Sequence, residues 1–324
     1  MSTEKTGVEE ALTSKSNGPW LRAWARFRHK KVGMLSLVVI AVIYLAGILA
    51  PIASIHSYKA QDLMASKERP SLQHPFGTDR LGRDLYSRVI WGIRTTVIIT
   101  FASVLSGSLI LGVSMGSLSG YLGGKVDTII MRIGEIFLAF PGLLLTILIA
   151  STLKPRAVSI VRAFEDTTGI NGIVASGLVD YVVVFSSLAA FSWVGMARLV
   201  RGQLLWIKQL EFVQAARSIG ASTPRIIFRH LLPNALGPVI VSVSMGMGAI
   251  VGSEVILSWL GIGIQPPRPS LGLMILDGFG IGNISILRND PHLILFPMAT
   301  ITIIILGWNL LGDAINDVFN PRTR

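Results

Sequence analysis

The chain has 324 residues, of which 51% are hydrophobic and only 15% charged, and its mean hydropathy of +0.61 implies more apolar surface than a soluble domain of that size can bury. The formal charge of +11 does not mark a nucleic-acid binder, because the basic residues are spread among short loops and do not form one patch interleaved with aromatics. With no cysteine, a disulfide framework and thiolate chemistry are excluded.

Six stretches, 33–54, 96–118, 128–151, 181–197, 236–260 and 293–311, are predominantly apolar, and each can cross a hydrocarbon core of ~30 Å at ~1.5 Å per helical residue. Backbone groups in lipid must bond within their own segment, and no alternating barrel pattern is visible. The expected fold is therefore an all-α membrane protein with six transmembrane helices. The first 32 residues are polar, which argues against a cleaved signal peptide and leaves the first span as an anchor. The chain divides into an N-terminal tail (1–32), an anchor (33–54), a loop (55–95), a core holding spans two to six (96–318) and a C-terminal tail (319–324).

Arg22, Arg26, Arg28, Lys30 and Lys31 precede the first span with no acid nearby, so the N-terminus is expected in the cytoplasm, and six crossings return Arg322 and Arg324 to the same side. The external segments are then 55–95, 152–180 and 261–292. The first is unusually basic for its side, with Arg80, Arg83, Arg88 and Arg94 partly offset by Asp79 and Asp84. Within it Leu81, Leu85, Val89 and Ile93 recur every fourth residue beside Arg80, Asp84 and Arg88, which predicts an amphipathic helix lying at the interface, with Trp91 in the headgroup belt. Asp79 with Arg83 and Asp84 with Arg88 are acid-before-base pairs at i,i+4. Two readings are open: a solvated helix steering the chain into the second span, or a docking surface for an external partner. The 152–180 segment reads as an extended external loop, either a partly helical cap or an insertion without a role.

Between the fourth and fifth spans lies a long polar stretch, EFVQAARSIGASTPRIIFRHLLPN, from Glu211 to Asn234. Residues 207–219 are helix-compatible, Gly220 suits a C-terminal cap, and Ser222 or Thr223 before Pro224 signals a helix restart that Pro233 should end. The predicted product is a cytoplasmic helix, a glycine turn and a second short helix. Ile226, Ile227, Leu231 and Leu232 would seat it, leaving Arg217, Arg225 and Arg229 for a partner or the phosphates of membrane lipid.

Inside the spans, Gly112, Gly116 and Gly120, and Gly248 with Gly252, form small-xxx-small stripes expected to pack helices. Pro141 and Pro297 should kink theirs. Arg132 and Glu135 are expected to pair at i,i+3, whereas Glu254 has no obvious local partner and either lines a pathway or meets a second subunit. Catalysis finds no support. Gly123 to Val126 resembles the end of a phosphate loop but lacks its first glycine and its Ser or Thr. The histidines, His29, His56, His74, His230 and His292, are scattered without a zinc motif, so no catalytic residue, bound cofactor or metal is expected in this chain.

Ala215, Ala216, Gly220 and the Leu232-Pro233 pair have the spacing of the EAA loop, and the chain resembles the permease subunits of bacterial and archaeal ABC importers. HPFGTDRLGRDLYSR from His74, SWLGIGIQPPRPSLG from Ser258 and the tail from Leu306 are similar to the second, C-type permease of dipeptide and oligopeptide importers. The resemblance runs over essentially the whole chain. It implies a plasma-membrane transport subunit with no enzymatic activity of its own, a sister permease, two cytoplasmic ATPase subunits that bind the ATP, and an extracytoplasmic solute-binding protein. It also implies that this loop forms a coupling helix docked in an ATPase groove, with Ala215, Ala216 and Gly220 as its contact and turn residues. Read with its own polar positions, the ATPase-coupling set is Glu211, Gln214, Ala215, Ala216, Gly220 and Arg225, and Glu254, as a lone carboxylate in a span, is the candidate pathway residue. Gln214 stands where the family's motif has glutamate, and Glu211, one turn earlier, is the available substitute. The competing reading is a self-sufficient secondary transporter or channel, which would call for inverted repeats or clustered midplane ion ligands. Neither is visible.

Overall fold

The long apolar stretches are all helical in the computed structural model, which describes residues 19–279 and 286–319. Residues 1–18 of the N-terminal tail, and Arg322 and Arg324, lie outside the described residues. A short helix, α1 (Pro19–Arg28), precedes the first span, α2 (Lys31–Ile48). The second span, α3 (Leu85–Leu122), contains a π-helical segment at Val104–Gly112. There follow α4 (Gly124–Leu138), α5 (Gly142–Thr168), α6 (Leu178–Ile207), the short α7 (Glu211–Ser218) and α8 (Thr223–Trp259), which has a π turn at Ile227–Leu231. Helices α9 (Leu271–Phe279) and α10 (His292–Phe319) complete the chain.

Small residues set the neighbours. Helices α3 and α6 run parallel in register along the predicted glycine stripe: an added Cβ at Gly112 would sit 2.6 Å from Met196 Cβ, at Gly116 2.6 Å from the Ala197 carbonyl and at Gly120 3.0 Å from the Arg201 carbonyl. Van der Waals packing and not water exclusion holds helices together in lipid, so backbones that approach this closely contribute directly. Helix α10 runs antiparallel to α8, Gly312 against Met245 and Gly248 against Ile305, and antiparallel to α2, Gly307 against Ile40 and Gly33 against Ala314. The Trp308 indole donates to the Tyr44 hydroxyl at 2.7 Å.

The third crossing, expected over 128–151, is made of two pieces. Helices α4 and α5 run in series antiparallel to α6, with Gly134 against Val194, Gly142 against Phe191 and Lys154 bonded to Asp180 at 2.9 Å. Pro141 does more than kink this span. Lacking an N–H, it breaks the helix and becomes the N-cap of α5. Pro297, by contrast, stays inside α10. Helix α5 then continues to Thr168, so residues 152–168 are a helical extension and not a loop. Glu165 accepts the amides of Ile173 and Val174, and Arg268 donates to the Ser176 carbonyl, folding the return turn onto the bundle.

The predicted interfacial helix is corrected. Positive-φ glycines at 77 and 82 and an Asp79 carboxylate that accepts the amides of Leu81 and Arg83 keep 77–84 non-helical. Helix starts only at Leu85, capped by Asp84, and enters the bundle, with Leu85, Arg88, Val89 and Ile93 all buried. Asp79 pairs with Arg83 at 2.6 Å as expected, but Arg88 also turns to Asp79, at 2.7 Å, and leaves Asp84 to other partners. Arg83 and Arg88 additionally approach Asp277 of α9, which joins the first and last loops on this side. Counting crossings, these loops lie on the side opposite α1.

Candidate functional site

On the side of α1, the chain leaves α6 at Ile207 and re-forms as α7 with no side-chain cap at Leu210, so Glu211 in its first turn meets the positive end of the helix dipole. At the other end the Gly220 N–H donates to the Arg217 carbonyl at 3.0 Å and the Ala221 N–H to the Ala216 carbonyl at 3.1 Å, a Schellman motif that requires the left-handed φ of +79° found at Gly220. Val213, Ile226 and Leu231 are fully buried beneath the turn and Ile227 nearly so, as the apolar positions predict. The second helix departs from expectation. Pro233 does not end it, because the π turn at Ile227–Leu231 absorbs the bond that the proline cannot donate and α8 continues unbroken to Trp259.

This unit exposes large apolar side chains among polar ones. Ile219 is 86% exposed and Phe228 71%, and Phe212, Glu211, Gln214, Ala215 and Arg225 are exposed as well. Ala216 turns inward, and the Gln214 amide donates to its own chain at Gln209. Arg217 lies over the Tyr121 ring, 5.7 Å from its centroid, and is thereby engaged within the chain.

Polar contacts that motif reading missed fix the end of α6 that leads into the unit. Lys208 donates to the Gly120 carbonyl at 2.9 Å, and Arg201 grips Asp127 with two bonds, at 2.5 and 2.6 Å, while Ser119 donates to the same carboxylate. The Arg201 hydrogen bonds hold the Asp127 carboxyl below its usual range despite partial burial. Their sequence signal was faint: lone charges at span ends, with nothing local to pair them. Arg132 and Glu135 do form the expected i,i+3 pair, exposed and 3.4 Å apart.

Of the cavities among the described residues, two share one face of α8. One of about 700 Å³ lies near the α1 side between α8 and the end of α10, and one of about 300 Å³ lies deeper among α3, α5, α6 and α8. Asn234, Pro238, Ser242, Gly246, Ala249 and Ser253 recur every three or four residues, so a single face of α8 lines both, and Ser242 belongs to each. Sequence reading passed over these small and hydroxyl positions because a helix-packing stripe looks the same. Glu254 is elsewhere. It is enclosed between α3 and α8 with 0% of its surface exposed, accepting from Thr96 and from Ser258, one turn on, at 3.0 Å each.

Residues 108–324 match the family described as the binding-protein-dependent transport system inner membrane component, and residues 18–75 match the N-terminal transmembrane domain of oligopeptide transport permease C. The chain belongs to this permease family. It is 35% identical over 318 residues to the oligopeptide transport system permease protein of Bacillus subtilis, covering 98% of this chain and 94% of that one. The dipeptide transport permease of the same organism is 35% identical over 324 residues, with 100% and 92% covered. The glutathione transport permease of Pectobacterium atrosepticum is 36% identical over 314 residues, with 94% and 92% covered. As a permease the chain is a multi-pass membrane component of a multi-subunit system and a transport subunit, not an enzyme.

Proposed function

We propose that this permease is one half of the translocation pathway of an ATP-driven importer of peptides or closely related solutes, with α7 as the element that an ATPase subunit grips. The observation that carries this reading is the α7 unit: a short helix ended by a glycine clamp, presenting exposed Ile219 and Phe228 while held against α3 by Arg217 and, just before it, Lys208. Large apolar side chains exposed among polar ones suit protein docking. Glu211, Gln214, Ala215 and Arg225 supply further contacts, and Ala216 and Gly220 maintain the turn. ATP-driven closure of two cytoplasmic ATPases moves this unit, and the tied helices follow as a body. The lined face of α8, closed by a sister permease, carries the solute delivered by an extracytoplasmic binding protein. The α1 side is cytoplasmic, in a bacterial or archaeal plasma membrane.

The chain lacks cysteine, which makes the test direct. Ile219→Cys, purified from its native membrane with its partners, is expected to cross-link to an ATPase subunit through a short bifunctional reagent, and more so in one nucleotide state than another. Labelling by solvent reagents with no ATPase adduct in any nucleotide state overturns the docking reading.

A further inference from the structure

Three side chains that are far apart in sequence meet on the side opposite α1. His56 follows the end of the first span, His74 lies in the loop and Asp84 caps α3. We propose that His56, His74 and Asp84 form a binding site for a late first-row divalent metal ion of the zinc class.

The geometry gathers three ligand atoms of the right kind around one point. The Nδ1 atoms of both rings face the same carboxylate oxygen, Asp84 Oδ1, at 2.9 Å for His74 and 3.8 Å for His56, and one ligand atom from each of the three residues lies within 4.8 Å of the others. Ligand atoms about 2.0–2.2 Å from a tetrahedral zinc stand about 3.3 Å apart, between the two observed separations. The set of two imidazoles and one carboxylate suits zinc, nickel, copper or iron over calcium or magnesium, which take oxygen ligands.

The surroundings hold the donors in place. The second oxygen of Asp84 accepts the Ser87 amide at 2.8 Å, the Ser87 hydroxyl accepts the His56 amide at 3.0 Å, and the Ser71 hydroxyl accepts the His74 amide at 3.1 Å. The two rings lie 4.8 Å apart, tilted by 34°. Outer contacts of this kind orient metal ligands.

Charge points the same way. Asp84 is 2% exposed, and its acid-before-base partner by sequence, Arg88, is taken by Asp79. Among the described residues its ion-pair partners are the two imidazoles. A buried carboxylate needs a countercharge, and the start of α3 supplies only a partial one. A divalent ion supplies it fully, with Nδ1 of each ring as its ligand atom and the far nitrogen Nε2 left to carry the ring proton. His56 is 40% exposed on its side chain, which leaves the remaining metal positions to water or to a ligand atom from outside the chain.

The full-length protein, carrying an affinity tag without histidine and reconstituted in lipid nanodiscs, is stripped with chelator and titrated with zinc ion against a chromophoric competitor. One equivalent is expected to bind. His56→Ala, chosen because that ring is the most exposed of the three groups, is expected to weaken binding at least about tenfold, since even outer-shell losses cost 10–100-fold. His56→Cys is expected to restore binding and to give cobalt ion a thiolate charge-transfer band. Wild-type protein that takes up no stoichiometric zinc, or His56→Ala that binds as well as wild type, overturns the site and leaves a hydrogen-bonded triad. Neither outcome bears on ATPase docking.

Discussion

Asp127 and Arg201 show how much a single pair can carry at the edge of a membrane bundle. Arg201 depresses the carboxyl below its ordinary value of 3.8, so the pair contributes stability that is present above that pH and is lost as pH falls through the lowered value. Asp127→Asn should therefore melt below wild type at pH 6, and the gap should shrink as the pH falls beneath 3.8. Thermal unfolding in detergent across that range checks it, and a gap independent of pH would mean that the carboxylate charge is not what matters. Such pairs were illegible in sequence because their members are 74 residues apart. Glu254 illustrates the opposite failure. It had a partner within one turn, Ser258, but a serine four residues from a glutamate inside an apolar span gives no signal that sets it apart from packing. His56 and His74 were read as scattered, since separation along a chain says nothing about a loop that folds back on a helix start.

Elements were more legible than pairs. Hydropathy located the six crossings because lipid permits so few alternatives, and the glycine stripe of α3 was recognised as packing because small residues every fourth position have few other uses in a span. Gly116→Val should separate α3 from α6 at a cost of about 1–3 kcal/mol, as overpacking does, whereas Gly202→Ala, which meets nothing within 4 Å, should leave the melting temperature unchanged. Boundaries failed where local chemistry overrode period. The every-fourth-residue pattern through 81–93 is real, but a carboxylate-capped turn at Asp79 delays the helix, and the pattern turns out to face the bundle. The α7 turn was read correctly from Gly220 because left-handed backbone leaves little choice of residue. Gly220→Pro removes a donor and cannot reach positive φ, so uptake should fall to background with membrane insertion intact. Gly220→Ala has room for its methyl but carries roughly 1–2 kcal/mol of backbone strain, so an intermediate uptake is expected. Equal transport by all three would detach the turn from coupling.

At the scale of the molecule, α3 and α6 pack through glycine from Gly107 to Gly120, α4 and α5 follow α6, with α4 bonded to it through Asp127 and Arg201, and the α7 unit meets α3 through Arg217 and, just before it, Lys208. What moves α7 moves them together. Helices α2 and α10 form a second group against α8, and α8 belongs to both. That places weight on the π turn at Ile227–Leu231, which does more than accommodate a proline. A π turn holds one residue more than the α-helical path, and one residue is about 100° of rotation. The turn is thus a phase offset: it decides which way the cavity-lining face of α8 points when the docked end is held in place. Deleting Arg229, exposed in the same turn and outside the apolar surface, should rotate Ser242, Gly246 and Ser253 off the cavity while α7 still docks. Uptake lost with ATPase association retained, in a helix shortened by one residue, is the expected signature of an axle keyed at the wrong angle.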